Sequence, residues 1–278
     1  MIAARHNNAD RGHEISAEGP SPRRAKKFVD THCHCLPDLD DGPRSTDEAI
    51  ALCRMLVEDH VCAVVATPHQ LGRYENHTGA AMIRQATRLL NEELAERGID
   101  LTVLPGAEVR LDERVAELLA RDEILTLADA GRHILLELPW DVFIDIEPLL
   151  VQFVSEGVGP VIAHPERNGP LLEHLEVLRR WLSCGISLQV TASSLVGHFG
   201  PQAQRAAWRL VAEGWVDTIA TDAHDHRSHP PCMAAACEMI AAGLGRDLAH
   251  LLCVDNPSRI VRGEKLVPVC VRDKQEVW

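Results

Sequence analysis

Basic charge, lysine, aromatic rings and long apolar runs are all scarce in this chain of 278 residues. Lys and Arg total 28 against 41 acids, a formal charge of −13 with histidines neutral. That balance excludes a nucleic-acid coat or an anionic-membrane binder, because both need basic surface. No apolar run approaches the ~18–20 residues of a membrane span. The nine cysteines form no CxxC pair and no dense framework, so a disulfide-stapled secreted domain is excluded and a reduced cytoplasmic compartment expected. Lysine stands only at Lys26, Lys27, Lys265 and Lys274.

What the chain does hold is 46% apolar residues and 15 histidines. Its first 27 residues carry six bases, three acids and no apolar core segment. They read as a disordered basic head and not a signal peptide. Residues 28–278 read as a single domain ending in a helix and tail.

From Phe28 onward, apolar runs alternate with amphipathic stretches. The runs Phe28–His32, Val61–Thr67, Leu101–Gly106, His133–Leu138, Pro160–His164, Ser187–Thr191 and Val216–Asp222 have the continuous apolar character of parallel strands buried on both faces. Between them lie helices with recognisable ends. Ser45 and Glu48 form a capping-box pattern, Thr78 opens a helix reaching Gly98, one closes before Gly185, and Pro201 opens one ending at Gly214. Seven strand-helix units predict an α/β fold, a distorted seven-stranded barrel.

Chemistry-bearing residues fall at the carboxyl end of strand after strand. His32 and His34 end the first, with Asp41 in the following loop. His69 follows the second, Glu108 the third. Glu137 ends the fourth, His164 the fifth, and Asp222 and His224 the seventh. Carboxyl ends share one rim of a parallel barrel, where active sites form. His32 and His34 face the same way because side chains alternate along a strand, and Asp222 and His224 repeat that spacing. Glu137, inside Leu135-Leu136-Glu137-Leu138, is costly there unless paired or metal-bound.

Five imidazoles and four carboxylates exceed what one ion takes, so two or three ions are expected. Mixed N and O donors without thiolate suit Mn, Fe, Zn or Co. Phosphate ester hydrolysis is the natural chemistry of such a centre, with amide or lactone hydrolysis as its rival. Many amidohydrolases bridge two metals through a carboxylated lysine on a barrel strand, and every lysine here lies outside the strands. The Cys253-x5-Arg259 spacing imitates a cysteine-dependent phosphatase. Pro257 removes a phosphate-binding N–H from that loop, Asp255 opposes the anion, and a helix start explains the same letters.

Together the segments Asp30–His34, Leu36–Gly42, Ala66–His69, Gly72–Asn76, Leu104–Val109, His164–Asn168, Gln189–Leu195 and Thr221–His224 resemble the polymerase-and-histidinol-phosphatase (PHP) superfamily. Within it they resemble the CpsB-type manganese-dependent tyrosine-protein phosphatases of bacterial capsule and exopolysaccharide operons. The resemblance implies a trinuclear site: His32, His34, Glu108 and Asp222 on one ion, Glu108, Glu137 and His164 on the second, and Asp41, His69 and His224 on the third. It also implies Arg167 as the catalytic arginine on phosphate, Arg73 and Arg227 as weaker substrate contacts, and the phosphotyrosine tail of a cognate tyrosine kinase as partner. Self-association stays open. Another PHP phosphoesterase, acting on histidinol phosphate or a nucleotide, and a non-catalytic metal-bound regulator are the alternatives. Tyr74, Trp140 and Phe199 are the loop rings available to meet a tyrosine.

Overall fold

Runs of β-branched and aliphatic residues become short parallel strands: β1 (Phe28–Cys33), β2 (Val61–Ala66), β3 (His69–Gln70), β4 (Thr102–Pro105), β5 (Glu108–Arg110), β6 (His133–Glu137), β7 (Gly159–Ala163), β8 (Ser187–Thr191) and β9 (Thr218–Ala220). The computed structural model describes residues 28–75, 77–225, 227 and 229–269. The head at 1–27 and the tail from residue 270 lie outside them. Every pairing is parallel, in a three-stranded sheet β1-β2-β4 and a six-stranded sheet β3-β5-β6-β7-β8-β9.

The α/β fold with parallel strands is as expected, but among the described residues the distorted barrel of seven strands appears as nine short strands in two sheets, with no closed barrel. Two predicted strands are each followed, after a two-residue break, by a second short strand. Thr67-Pro68 separates β2 from β3, and Pro68 has no N–H for the ladder. Gly106-Ala107 separates β4 from β5. A Cβ on Gly106 would lie 2.5 Å from Val65 Cγ1, so the two chains approach too closely there for any side chain. Register survives the break: Ala66 opposes Pro105 and His69 opposes Glu108, at the same offset. On the other flank, β1 meets the chain beyond β9 through a single bridge, Cys33 to Ala223. It is flanked by His34 N–H to Ala223 O and Asp222 N–H to His32 O, both 2.8 Å. Asp30, wholly buried, reinforces this junction by accepting from the N–H and hydroxyl of Thr221.

Alternation along the strands sorts the core into two parts. Ile134, Leu136 and Ile162 belong to the large cluster with the helices, whereas Leu135, Val161 and Ala163 form a small one with Val65, Leu127 and Ile260. Glu137, two residues beyond Leu135, shares that second face. Helices cover the other. Ser45 caps the helix Thr46–Glu58 by accepting from Glu48 N–H at 3.3 Å. The next helix spans Ala80–Glu96. It begins two residues after Thr78, whose hydroxyl instead donates to Tyr74 O at 3.0 Å. Pro201 sits in the first turn of Gly200–Ala212. Cys253 is fully buried in a π turn running into the helix Asn256–Val261, the opposite of an exposed nucleophile.

His133, also on β6, is buried, and its Nδ1 has no hydrogen-bond partner. Burial, then the charge of Arg132, pushes its pKa down to about 4. The unfolded chain, near ~6.5, thus takes up this proton first, and stability falls as pH drops from about 6.5 toward 4. His133→Leu removes the penalty. Unfolding free energies of variant and wild type from urea titrations should diverge between pH 7 and 5 by on the order of 1–2 kcal/mol; a constant difference refutes the assignment.

Candidate metal centre

Strand ends and strand breaks deliver nine side chains to one cavity. Alternation on β1 puts His32 Nε2 and His34 Nε2 3.2 Å apart. His69 and Glu108 each begin a strand immediately after a break and are direct cross-strand neighbours, with His69 Nδ1 3.0 Å from Glu108 Oε2. His164 Nε2 lies 2.7 Å from Glu108 Oε1. Asp222 Oδ1 is 3.3 Å from His32 Nε2, 3.6 Å from His34 Nε2 and 3.7 Å from His224 Nδ1. Asp41 Oδ1 lies 3.4 Å from His69 Nε2 and 3.6 Å from His224 Nε2. Glu137 Oε2 is 3.7 Å from His69 Nδ1.

These donors fall into four overlapping groups of cation-binding geometry: His34, Asp41, His69 and His224; His32, His34 and Asp222; His32, Glu108 and His164; and His69, Glu108 and Glu137. The overlaps differ from three separate ligand sets: His34 also joins the Asp41 group, and His69 also reaches Glu137. Glu108 Oε2 is the telling atom. It is buried without a hydrogen-bond partner, yet three imidazole nitrogens surround it at 3.0–3.5 Å. A cation there satisfies the orphaned oxygen, and the N/O donor set fits a divalent first-row ion.

The carboxylates follow a pattern. Asp41 turns Oδ2 to Arg73 Nη2 (2.7 Å), Asp222 turns Oδ2 to Arg167 Nη1 (2.7 Å), and Glu137 turns Oε1 to Trp140 Nε1 (3.0 Å) and Arg110 Nη1 (3.1 Å). Each keeps its other oxygen for the cluster. Glu108 alone directs both oxygens inward.

Burial opposes charge throughout, and for the carboxylates their neighbours overcome it. For Glu108, burial raises the pKa, but facing His32 and His164 hold it well below the ordinary carboxylate range. Asp222 is likewise lowered against burial by His32 and Arg167. His224 is pushed down to about 4 by burial and by His34. Backbone strain accompanies the ligands: His164 (φ 34°) and Asp222 (φ 52°) occupy the left-handed region disfavoured for side-chain-bearing residues.

Supporting residues escaped the sequence reading. Asp40, beside the predicted Asp41, lies 2.6 Å from His34 Nδ1 and accepts from the N–H groups of His69 and Gly42, both at 3.0 Å. Burial works against its charge, but His34, the Gly42 N–H and the charge of nearby His69 bring its pKa to about 2. Gln189 Oε1 lies 2.7 Å from His32 Nδ1. Both contacts engage Nδ1 and leave Nε2 for the cluster. Glu166, buried, accepts from Thr191 N–H (3.0 Å) and Ser194 Oγ (2.7 Å), fixing the turn between His164 and Arg167. All three lie in segments that carried the family resemblance, and Asp40 stands in a doublet with Asp41, but no role was legible for any of them.

Arg167 packs its guanidinium over Phe199 (4.5 Å) and Trp140 (5.3 Å), and Trp140 stacks on His164 at 5.0 Å between ring centroids. Tyr74 stacks on His69 at 5.5 Å. All three predicted rings thus border the centre. Arg227 is exposed on the loop after His224, its main-chain N–H donating to Asp225 Oδ1 at 2.5 Å.

Residues 28–262 match the family model described as capsular polysaccharide synthesis, CpsB/CapC. The chain belongs to the CpsB/CapC family. It is 34% identical over 241 residues to the tyrosine-protein phosphatase YwqE of Bacillus subtilis, covering 86% of this chain and 93% of that protein. It is 31% identical over 241 residues to the tyrosine-protein phosphatase CpsB of Streptococcus pneumoniae, covering 84% and 98%. A solved structure from work on these two proteins, described as unique metal-dependent tyrosine phosphatases, superposes with a TM-score of 0.82 at 32% identity, over 89% of this chain and 100% of that one. A lactonase from Listeria monocytogenes superposes at TM-score 0.55 and 12% identity, covering 86% and 95%, and shares the fold alone.

The Trp140 and Arg110 contacts to Glu137 generate a prediction for this CpsB/CapC member. Trp140→Phe keeps the ring but removes the N–H; Arg110→Met removes the second donor. Partners of this kind typically contribute 10–100-fold in metal affinity. Mn2+ titration by calorimetry should show one weakened site in each variant, with the remaining sites unchanged. Unaltered affinities in both would show that Glu137 needs neither donor.

Proposed function

We propose that this chain is a metal-dependent protein-tyrosine phosphatase, a phosphoric monoester hydrolase acting on the phosphotyrosine tail of a kinase that controls capsule or exopolysaccharide synthesis. The observation that carries the reading is the orphaned Glu108 Oε2 among imidazole nitrogens, in a chain that matches the CpsB/CapC model from residue 28 to 262.

His32, His34, Asp41, His69, Glu108, Glu137, His164, Asp222 and His224 would hold two or three ions, with Mn2+ the expected metal and Glu108 the bridge. Bound ions supply Lewis-acid polarisation of phosphoryl oxygens and acidify water for attack. The protein does the rest. Arg167, one donor committed to Asp222 and its face packed between two rings, is the catalytic residue that neutralises charge growing on the phosphoryl oxygens. Arg73, on Asp41, is positioned to meet the same group from the opposite ligand. Arg227 completes the basic set from the loop beyond His224. Tyrosinate leaves with a pKa near ~10, so this site needs less general-acid help than an alkoxide ester demands.

Seven interrupted staves of one barrel, joined at the Cys33–Ala223 bridge, are the architecture we read behind the two sheets. The described cysteines form no disulfide, which supports a reducing, cytoplasmic setting. No helix among the described residues is long and apolar enough to cross a membrane.

The test is p-nitrophenyl phosphate and phosphotyrosine-peptide turnover in metal-stripped protein with Mn2+ added back. Activity should vanish on stripping and return with metal. His34→Ala and Arg167→Ala should each lose at least about 100-fold in kcat, the usual scale for a lost charge-stabilising donor. Cys253→Ser should turn over like wild type. Loss confined to Cys253→Ser would sink the metal mechanism.

A further inference from the structure

Between Glu137 and the helix Glu147–Ser155 runs a segment that the metal chemistry leaves unexplained. Trp140, Val142 and Ile144 stand 40%, 49% and 44% exposed, among the largest exposed apolar side chains described. The segment is nonetheless well anchored. Phe143 packs on the large core and against the His174 ring at 4.1 Å, and Ile146 is buried. Asp145 accepts from Trp181 Nε1 (3.0 Å) and pairs with Arg180 (2.5 Å). Pro139 O accepts from Asn168 Nδ2 at 2.8 Å. Between these anchors, the main-chain N–H and C=O groups from Trp140 to Ile144 bond to no protein group among the described residues.

A held segment whose backbone groups are free of protein partners, with apolar side chains at alternate positions, has the chemistry of an edge that can accept a strand. Its position names the occupant. Trp140 Nε1 binds Glu137 of the metal centre, and the Trp140 ring lies beneath Arg167. From there to Ile144 is at most about 14 Å of chain, the reach of roughly four residues flanking a side chain seated at the centre. A lone aryl phosphate does not reach Val142 or Ile144, whereas a polypeptide with its phosphotyrosine at the centre has flanking residues long enough to lie along them.

We propose that Trp140–Ile144 is the docking edge for the polypeptide bearing the phosphotyrosine. The flanking residues pair their backbone with this segment and lay apolar side chains against Val142 and Ile144. The inference rests on the phosphotyrosine reading and deepens it: peptide sequence is read beside the metal centre, not within it.

The experiment compares wild type with the double variant Val142→Asp, Ile144→Asp, using Mn2+-loaded full-length protein. Probes are p-nitrophenyl phosphate and a phosphotyrosine peptide with valine and isoleucine in the four positions on each side. Peptide kcat/KM should fall about tenfold or more, carried by KM, with p-nitrophenyl phosphate turnover and metal content unchanged. The same peptide with flanking N-methyl amides should bind wild type correspondingly less tightly. Equal loss on both substrates, or no loss on the peptide, overturns the proposal. So does a wild-type dimer, seen by light scattering, that the double variant breaks, since a second copy then covers this edge. Wild-type protein that cleaves neither probe overturns the phosphatase reading itself, a result distinguishable from selective survival of the small substrate.

Discussion

A carboxylate that has left water with one of its oxygens short of a hydrogen-bond partner is the constraint around which this molecule is organised. Glu108 is 1% exposed, and its Oε2 accepts no hydrogen bond. Leaving such a charge uncompensated costs several kcal/mol, and the fold surrounds it with His32, His34 and His69 on one oxygen and His164 on the other. Asp41, Asp222 and Glu137 each divide their oxygens between the cluster and an outer donor. Glu108 spends both on the cluster, so it is the residue through which separate cation positions communicate. An apolar core of similar volume would be as stable; only a bound, reactive centre justifies this one.

The breaks in the sheets serve that centre. A continuous β2 would carry its alternation straight through residue 69, and a continuous β4 through residue 108. Pro68 and the crowded Gly106 interrupt both ladders just before the ligands, as bulges re-aim side chains beside active sites. Because the register survives, His69 and Glu108 still emerge opposite one another. Left-handed backbone at His164 and Asp222 belongs to the same economy: strain is tolerated where a side chain must face the cavity instead of continuing its strand.

How far the sequence disclosed this differs by residue. Alternation alone placed His32 with His34, and the cost of a carboxylate amid leucines marked Glu137; both arguments need only local geometry. The strand-end positions of His69, Glu108, His164 and Asp222 were readable because parallel strands share a rim. Asp40 and Asp41 are neighbours of the same type, and only tertiary contacts separate the one that holds His34 from the one that faces His69. Gln189 stood in a family-like segment and Trp140 among the candidate loop rings, but their roles were hidden, since a glutamine 157 residues from His32 or a loop tryptophan acquires this meaning only from the imidazole or carboxylate it touches. The division into two sheets was equally hidden. A strand pattern runs through Thr67 without showing that Pro68 ends one ladder and His69 begins another.

The acidic balance and a phosphate substrate are reconciled by the arginines. Arg167 and Arg73 are each engaged by the outer oxygen of a proposed ligand, Asp222 and Asp41. Asp222 and Asp41 would share their charge with a bound cation through the inner oxygen, and would then hold their arginines less tightly. An arriving phosphoryl group then offers the guanidinium a stronger, bidentate partner. Two of the carboxylates that contribute to the −13, Asp41 and Asp222, would thereby serve twice, first in gathering cations and then in releasing Arg73 and Arg167 toward the anion. On this reading, anion binding in this acidic protein would depend on the ions being in place and would need no basic surface.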